Sequence, residues 1–154
     1  MPCFSPIQNN NNIKEVIRSA FDMDLSVAGS WGYTLEEPTI IENTGCVPIE
    51  ELEYTIASMR TYIEMNMTLP KEERYGSINL TEIQRKEIKK NNQVYHQVTY
   101  IISAIKEEVY TSFINEYKEC FGKEGFDLAS HFKKRKEATI ARETKYYFEI
   151  IKIL

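Results

Sequence analysis

The sequence has no long apolar run, and this absence excludes a first class of proteins. No stretch of roughly 18 consecutive apolar residues occurs, so no transmembrane helix is predicted. Residues 1–12 lack the basic start and the apolar centre of an export signal, and we expect them to form a flexible lead-in. The chain is therefore predicted to be cytoplasmic and to have no membrane partner.

Cysteine and histidine are scarce. The three cysteines, Cys3, Cys46 and Cys120, lie far apart, and neither His96 nor His131 stands at zinc-ligand spacing from any of them. A structural zinc site needs four converging ligands, which sequences usually supply as close pairs. Free thiols in a reducing compartment are favoured, and neither a metal nor a cofactor is predicted.

The common catalytic motifs are missing as well. The sequence contains no Gly-x-Ser-x-Gly, His-Glu-x-x-His, Walker, Rossmann or EF-hand pattern. Scattered residues can still assemble an active site, so an enzyme is not excluded, but no catalytic residue is predicted.

What is present is the composition of an ordinary globular protein. The 154 residues are 42% hydrophobic and 27% charged, which argues against a disordered chain, a collagen-like chain and a coiled-coil rod. This length suits one domain, 1–154. The unusual feature of the composition is its aromatic content, with ten tyrosines and seven phenylalanines but a single tryptophan.

The spacing of apolar residues predicts an α+β fold. Stripes at three- and four-residue spacing predict helices over about 13–21, 48–66 and 106–121, and Asp127 can cap a shorter helix over 127–132. Alternation predicts strands over about 78–89, 93–105 and 139–153, and the segment 25–42 is expected to add a hairpin or an edge. We expect an antiparallel sheet of about three to five strands, with a long central hairpin 78–105 and a C-terminal strand, packed against three or four helices.

The segment 29–33 is the most distinctive stretch, because glycines flank a serine–tryptophan pair. Trp31 and Tyr33 are candidate binding residues, since large aromatic side chains with a polar tip suit ligand and partner contacts. The alternative is that Trp31 fills the core behind a glycine-bounded turn.

Polar residues at helical spacing form a second candidate site. Glu53, Arg60 and Glu64 share about one face of the second predicted helix and could bind a polar ligand. His96 lies in the middle of the clearest strand and joins them as a candidate binding residue. The alternatives are a solvated ion pair on the helix and a hydrogen-bonded structural histidine.

Charge is unevenly distributed along the chain. Residues 1–77 carry five Lys or Arg against twelve Asp or Glu, and 78–154 carry fourteen against eleven. The basic cluster comprises Lys133, Lys134, Arg135, Lys136 and Arg142, with His131 expected at the surface beside it. Phosphates, nucleic acid or an acidic protein surface would be attracted there, whereas the acidic balance of the whole chain makes a nucleic-acid partner unlikely.

Three functions follow from these patterns. The first is a non-catalytic protein-interaction or binding module, with a protein partner or a second copy of the chain, and the tyrosine surplus and the acidic first half favour it. The second is a small-molecule-binding domain or enzyme that uses the Trp31/Tyr33 loop and the Glu53/Arg60 face. The third is nucleic-acid binding through the basic cluster.

Overall fold

A computed structural model describes residues 6–7 and 12–151 of the chain, and its centre is a five-stranded sheet. The strands are β1 (Val27–Gly29), β2 (Thr39–Ile41), β3 (Tyr75–Lys90), β4 (Gln93–Lys106) and β5 (Ile140–Ile150). The helices are α1 (Ile13–Phe21), α2 (Ile49–Tyr62), α3 (Glu107–Cys120) and α4 (Leu128–Ala138). The predicted α+β class and the packing of helices on a sheet are confirmed. Most of the predicted lead-in, 1–12, and Cys3 lie outside the described residues.

Local signals explain where the helices begin. The Asn12 side chain accepts a hydrogen bond from the Glu15 amide at the start of α1 (3.2 Å), and Asp127 accepts one from the Ser130 amide at the start of α4 (3.0 Å). Helix α4 runs six residues beyond the predicted end at Phe132. Among the described residues, no helix combines the length and the apolarity needed to cross a bilayer.

Helix α2 is polar on its buried side, which is unusual for a core helix. Glu53 and Arg60 lie two turns apart and are both buried, next to apolar residues such as Ile56. The helix then passes directly into a π-helical turn, Ile63–Met67, which contains the buried Glu64. π-Helical turns occur frequently at functional sites.

The sheet is mixed, which corrects the prediction of an antiparallel one. Its strand order is β1-β2-β5-β4-β3, and β2 pairs with β5 in parallel through Thr39 and Phe148, while the other pairs are antiparallel. The expected central strand, β4, is interior, but β5 occupies the middle position. A parallel pair requires a connection that returns the chain to the same end of the sheet, and strand periodicity does not reveal it.

Two β-bulges interrupt β3. The pairing with β4 shifts between Gly76 and Asn79, where Ser77 has a positive φ of 50°, and again between Glu82 and Gln84. A bulge places two residues opposite one on the neighbouring strand and therefore reverses the side-chain alternation beyond it. As a result Glu82 and Arg85, three residues apart, lie on the same face of the sheet.

The core lies between one face of the sheet and helices α1 and α2. Its largest fully buried apolar side chains include Ile13, Ile17, Trp31, Ile41, Ile56, Met65, Tyr100, Ile102, Tyr146 and Phe148. The opposite face carries polar and half-buried side chains, among them Gln97, whose amide donates to the Tyr147 hydroxyl at 3.3 Å. This one-sided burial is typical of a sheet that faces water on its other side.

His131 is buried, and its predicted surface position is wrong. Helices α3 and α4 form a hairpin in which its imidazole lies among four aromatic rings. These rings belong to Phe113, Tyr117, Phe126 and Phe132. Within the described part of the chain neither ring nitrogen has a hydrogen-bond partner, although Nδ1 lies 3.5 Å from Glu116 Oε1. The neighbouring lysines misled the prediction, because Lys133, two residues on, lies on the opposite side of the helix, and Lys134 is exposed although His131 is buried.

Candidate functional site

A cluster of charged groups lies where α2 packs against the part of the β3–β4 hairpin that is nearest to its turn. The Glu53 carboxylate is fully buried, and its Oε1 accepts a hydrogen bond from Arg85 Nη1 at 2.6 Å. Its Oε2 lies 2.8 Å from His96 Nδ1. Arg85 also binds Glu82, with 2.7 Å between Nη2 and Oε1. The buried carboxylate is thus held by two partners that reach toward solvent, as a buried charge requires.

The tautomer of His96 depends on the charge of Glu53. An ionised carboxylate only accepts hydrogen bonds, so with Glu53 ionised the 2.8 Å contact requires a proton on Nδ1, and Arg85 Nη1, 3.4 Å from Nδ1, is then a second donor beside it. In a neutral imidazole the lone pair then belongs to Nε2. A histidine that a carboxylate orients in this way is able to accept or deliver a proton at Nε2.

Arg85 is firmly cationic. Burial lowers the pKa of Arg85, but the hydrogen bonds to Glu82 and Glu53 outweigh burial, and the pKa rises above its usual value. The bulge of β3 brings this side chain to Glu53, and simple alternation along the strand would have turned it away.

Tyr100 extends the cluster inward. Its side chain is buried on β4, opposite Glu82 on β3, and its hydroxyl has no hydrogen-bond partner among the described residues. Burial, with the Glu53 charge in addition, raises the pKa of Tyr100 above that of an exposed tyrosine.

Arg60 forms a separate buried network. Its guanidinium lies between the rings of Tyr33 and Tyr146, 4.4 and 4.2 Å from their centroids. It donates to the Trp31 carbonyl at 3.1 Å and, from Nη2, to the Lys145 carbonyl at 3.0 Å. These bonds attach the 29–33 segment to α2 and β5.

Glu64 balances the charge of this network. Its carboxylate accepts from the Tyr33 hydroxyl at 2.6 Å and from Arg142 Nη2 at 2.5 Å, and Arg60 Nε lies 3.9 Å away. Burial and the Glu64 carboxylate raise the pKa of Tyr33. Arg142 therefore points into the body of the protein and lies apart from the other members of the predicted basic cluster.

The five predicted binding residues fall into two groups. Trp31, Tyr33 and Arg60 belong to the inner network, with Trp31 fully buried, whereas Glu53 and His96 meet each other at the outer cluster. A binding role for these residues stays a prediction. Sequence reasoning missed Arg85, and only the register shift that follows Glu82 could have indicated it.

An apolar groove lies between the outer face of α2 and the first half of β3. Its cavity volume is about 360 Å³, and its lining comprises Phe21, Tyr54, Thr55, Ser58, Met59, Tyr62, Ile78 and Leu80. Tyr54 and Tyr62 stand two turns apart on α2 with Ser58 between them, and both are more than 40% exposed. The Tyr54 ring makes an edge contact with the Tyr100 ring, and the Tyr62 ring makes an edge contact with the Phe21 ring. The groove therefore presents two supported but accessible tyrosines.

The predicted basic cluster lies mainly on α4. Lys133, Lys134 and Lys136 are exposed there, and Arg135 stacks over Tyr110 and Phe132. Residues 106–138, which span the α3–α4 hairpin, carry seven Lys or Arg and seven Asp or Glu, so the hairpin is electrically balanced. In the described ranges no three His, Cys, Asp or Glu side chains are arranged to hold a metal ion.

Comparison of the chain with protein-family models, with curated protein sequences and with solved structures finds no match. The residues themselves are therefore the basis for inferring a function.

Proposed function

We propose that this chain is a non-catalytic binding module that receives a segment of a partner protein in the groove between α2 and β3. The observation that carries the proposal is the pair of half-exposed tyrosines, Tyr54 and Tyr62, that line the α2 side of an apolar cavity of about 360 Å³. Tyrosine is enriched among the residues that dominate the free energy of binding at protein interfaces.

The size and support of the groove favour this function. Its volume lies at the lower end of the roughly 300–1,000 Å³ that is typical of small-molecule pockets, which is enough space for side chains of a partner segment. The ring contacts beneath Tyr54 and Tyr62 hold the two side chains in place before binding, and preordered side chains lose less entropy when a partner arrives.

Calorimetric titration with short synthetic peptides tests the proposal. The probes alternate valine with lysine, serine or glutamate and carry a central phenylalanine. The Ser58→Trp variant fills the groove, and Ser112→Trp makes the same change at an exposed position on α3.

We expect at least one peptide to bind, with an affinity at least tenfold lower for Ser58→Trp and unchanged for Ser112→Trp. Absence of binding by all three peptides, or equal binding by both variants, would overturn the proposal.

A small enzyme is the second candidate, and the contact between Glu53 and His96 at 2.8 Å favours it. A carboxylate-oriented histidine is a common general base, but in the described part of the chain no serine, threonine or cysteine is hydrogen-bonded to His96. Chromogenic ester and phosphoester substrates test it. Turnover that is lost in His96→Gln supports an enzyme, and equal rates in both proteins rule out this site.

A further inference from the structure

The outer edge of β3 is open. β3 is the last strand in the sheet order and pairs only with β4. Among the described residues, no backbone–backbone hydrogen bond outside the regular ladder involves residues 76–90. Such an edge offers unpaired amides and carbonyls to an incoming strand.

Only one stretch of this edge is suited to pairing. Both bulges, at Ser77–Ile78 and at Ile83–Gln84, disturb the regular geometry, and three lysines follow the second bulge at 86, 89 and 90. Bulges and edge lysines are the devices with which natural sheets prevent unwanted pairing. The stretch Asn79–Glu82 has neither.

This unprotected stretch coincides with the groove. Ile78 and Leu80 form the β3 side of the groove, and they belong to the face of the sheet that α2 covers. In a strand added beside Asn79–Glu82, alternate side chains would point to the α2 side. The same segment would therefore gain backbone hydrogen bonds from β3 and side-chain contacts from Tyr54 and Tyr62.

The surroundings of the groove are acidic. On α2 the exposed Glu50 and Glu51 precede Tyr54, and Glu51 begins the helix face that continues with Thr55 and Ser58, whereas Glu53 and Glu64 are buried against arginines. At one end of the groove the exposed Asp22 follows Phe21, and Glu82, which is paired with Arg85, ends the open stretch of β3. Basic side chains of a partner segment would be attracted to these carboxylates.

We infer that the segment bound in the groove is an extended basic peptide, which adds to β3 along Asn79–Glu82 as a sixth strand. This inference rests on the proposed function and names the conformation and the charge of the partner. Strand addition of this kind takes affinity from main-chain hydrogen bonds and specificity from pockets for alternate side chains.

The experiment uses the ¹⁵N-labelled full chain and the peptide that alternates lysine with valine around a central phenylalanine. Amide hydrogen exchange of Asn79–Glu82 is measured with and without the peptide. Calorimetry compares this peptide with its glutamate counterpart and with a version that is N-methylated at alternate amides.

We expect exchange of at least one outward amide in Asn79–Glu82 to slow tenfold or more when the peptide binds. The N-methylated and the acidic peptides should each bind at least tenfold more weakly. Binding that is sensitive to Ser58→Trp but leaves the exchange rates and the N-methylated affinity unchanged would overturn strand addition and leave the proposed function standing. Equal affinity for the basic and acidic peptides would overturn the charge assignment. Failure of every peptide to bind would instead contradict the proposed function itself.

Discussion

Arg60 is a cation at a depth that apolar side chains usually occupy. It is 1% exposed, lies between two tyrosine rings and donates to the carbonyls of Trp31 and Lys145. Desolvation offsets much of the attraction within such a buried network, but removal of one member leaves the remaining charged and polar groups without their partner.

The substitution Arg60→Met tests this role. It removes the donor to the buried Trp31 carbonyl and to the partly buried Lys145 carbonyl, and it takes one of two arginines away from the buried Glu64. We expect the free energy of unfolding to fall by about 3–5 kcal/mol. Urea denaturation measures it, and Arg18→Met, at an exposed position of α1, is the control that should change little. A change in Arg60→Met no larger than in the control would contradict the network as a stabilising element.

Gly32 is required for two reasons, its positive φ of 72° and the lack of space beside it. A Cβ there would overlap the Tyr146 ring and lie 2.6 Å from the Tyr147 carbonyl oxygen. Gly45 has a similar φ of 64° but open space around it. We expect Gly45→Ala to cost about 1 kcal/mol of unfolding free energy and Gly32→Ala at least twice as much. Equal losses in thermal or urea unfolding would show that the close packing is absent.

The buried Tyr100 and Tyr146, together with the partly buried Tyr33, make the protein sensitive to alkali. Burial raises the pKa of Tyr33, Tyr100 and Tyr146 in the folded state, while unfolded tyrosines ionise near pH 10. Above that pH the unfolded chain binds fewer protons than the folded one, so the free energy of unfolding falls as pH rises. Urea denaturation between about pH 8 and pH 11 should show this fall. The slope should be smaller in Tyr33→Phe, and an identical slope would be evidence against burial of the Tyr33 hydroxyl.

The sequence allowed part of the site to be predicted. Glu53, Arg60 and His96 stood out because polar side chains interrupt apolar patterns there. Arg85 did not stand out, since its partner Glu53 is 32 residues away and a bulge decides which way it faces. The groove tyrosines, Tyr54 and Tyr62, could not be predicted either, because their exposure depends on how α2 packs against β3.

At the scale of elements, helix positions followed from apolar spacing and from capping residues such as Asn12 and Asp127. The bulges of β3 were not predictable, because a single extra residue in a strand leaves no compositional mark. Their effect is nevertheless large, since they determine which charged side chains reach the buried carboxylate.

Deletion of Ile83 tests the second bulge. Ile83 is 51% exposed, so its loss removes little buried surface. Without the extra residue Glu82 and Arg85 stand two positions apart, so regular alternation keeps both on the α2 side of the sheet and the buried Glu53 keeps its cation. We therefore expect the deletion to change the free energy of unfolding by less than about 1 kcal/mol, whereas Arg85→Met, which removes the cation, should lower it by about 3 kcal/mol. Urea denaturation compares the two variants, and a loss on deletion as large as that of Arg85→Met would contradict the role of Ile83 as the extra residue.

At the scale of the whole molecule, the α+β class was predictable and the strand order was not. Nothing in the alternation of β2 indicates that its partner is β5, about a hundred residues further along the chain. Long-range pairing depends on how whole elements pack, and the balance of many small contacts decides it.

Removal of β5 should therefore prevent folding of the whole sheet. A chain that ends at Ala138 lacks the strand to which both β2 and β4 bind. We expect it to show no cooperative thermal transition in near-ultraviolet circular dichroism, whereas a chain that ends at Ile151 retains one. A cooperative transition in the shorter chain would show that the β3–β4 hairpin and the helices form a unit of their own.

The middle position of β5 also has a consequence during synthesis on the ribosome. Until residues 140–150 have left the exit tunnel, two strand edges and the apolar faces beneath them stay open to other nascent chains and to holding chaperones. Assembly of the sheet thus waits for one short strand that closes two gaps at once.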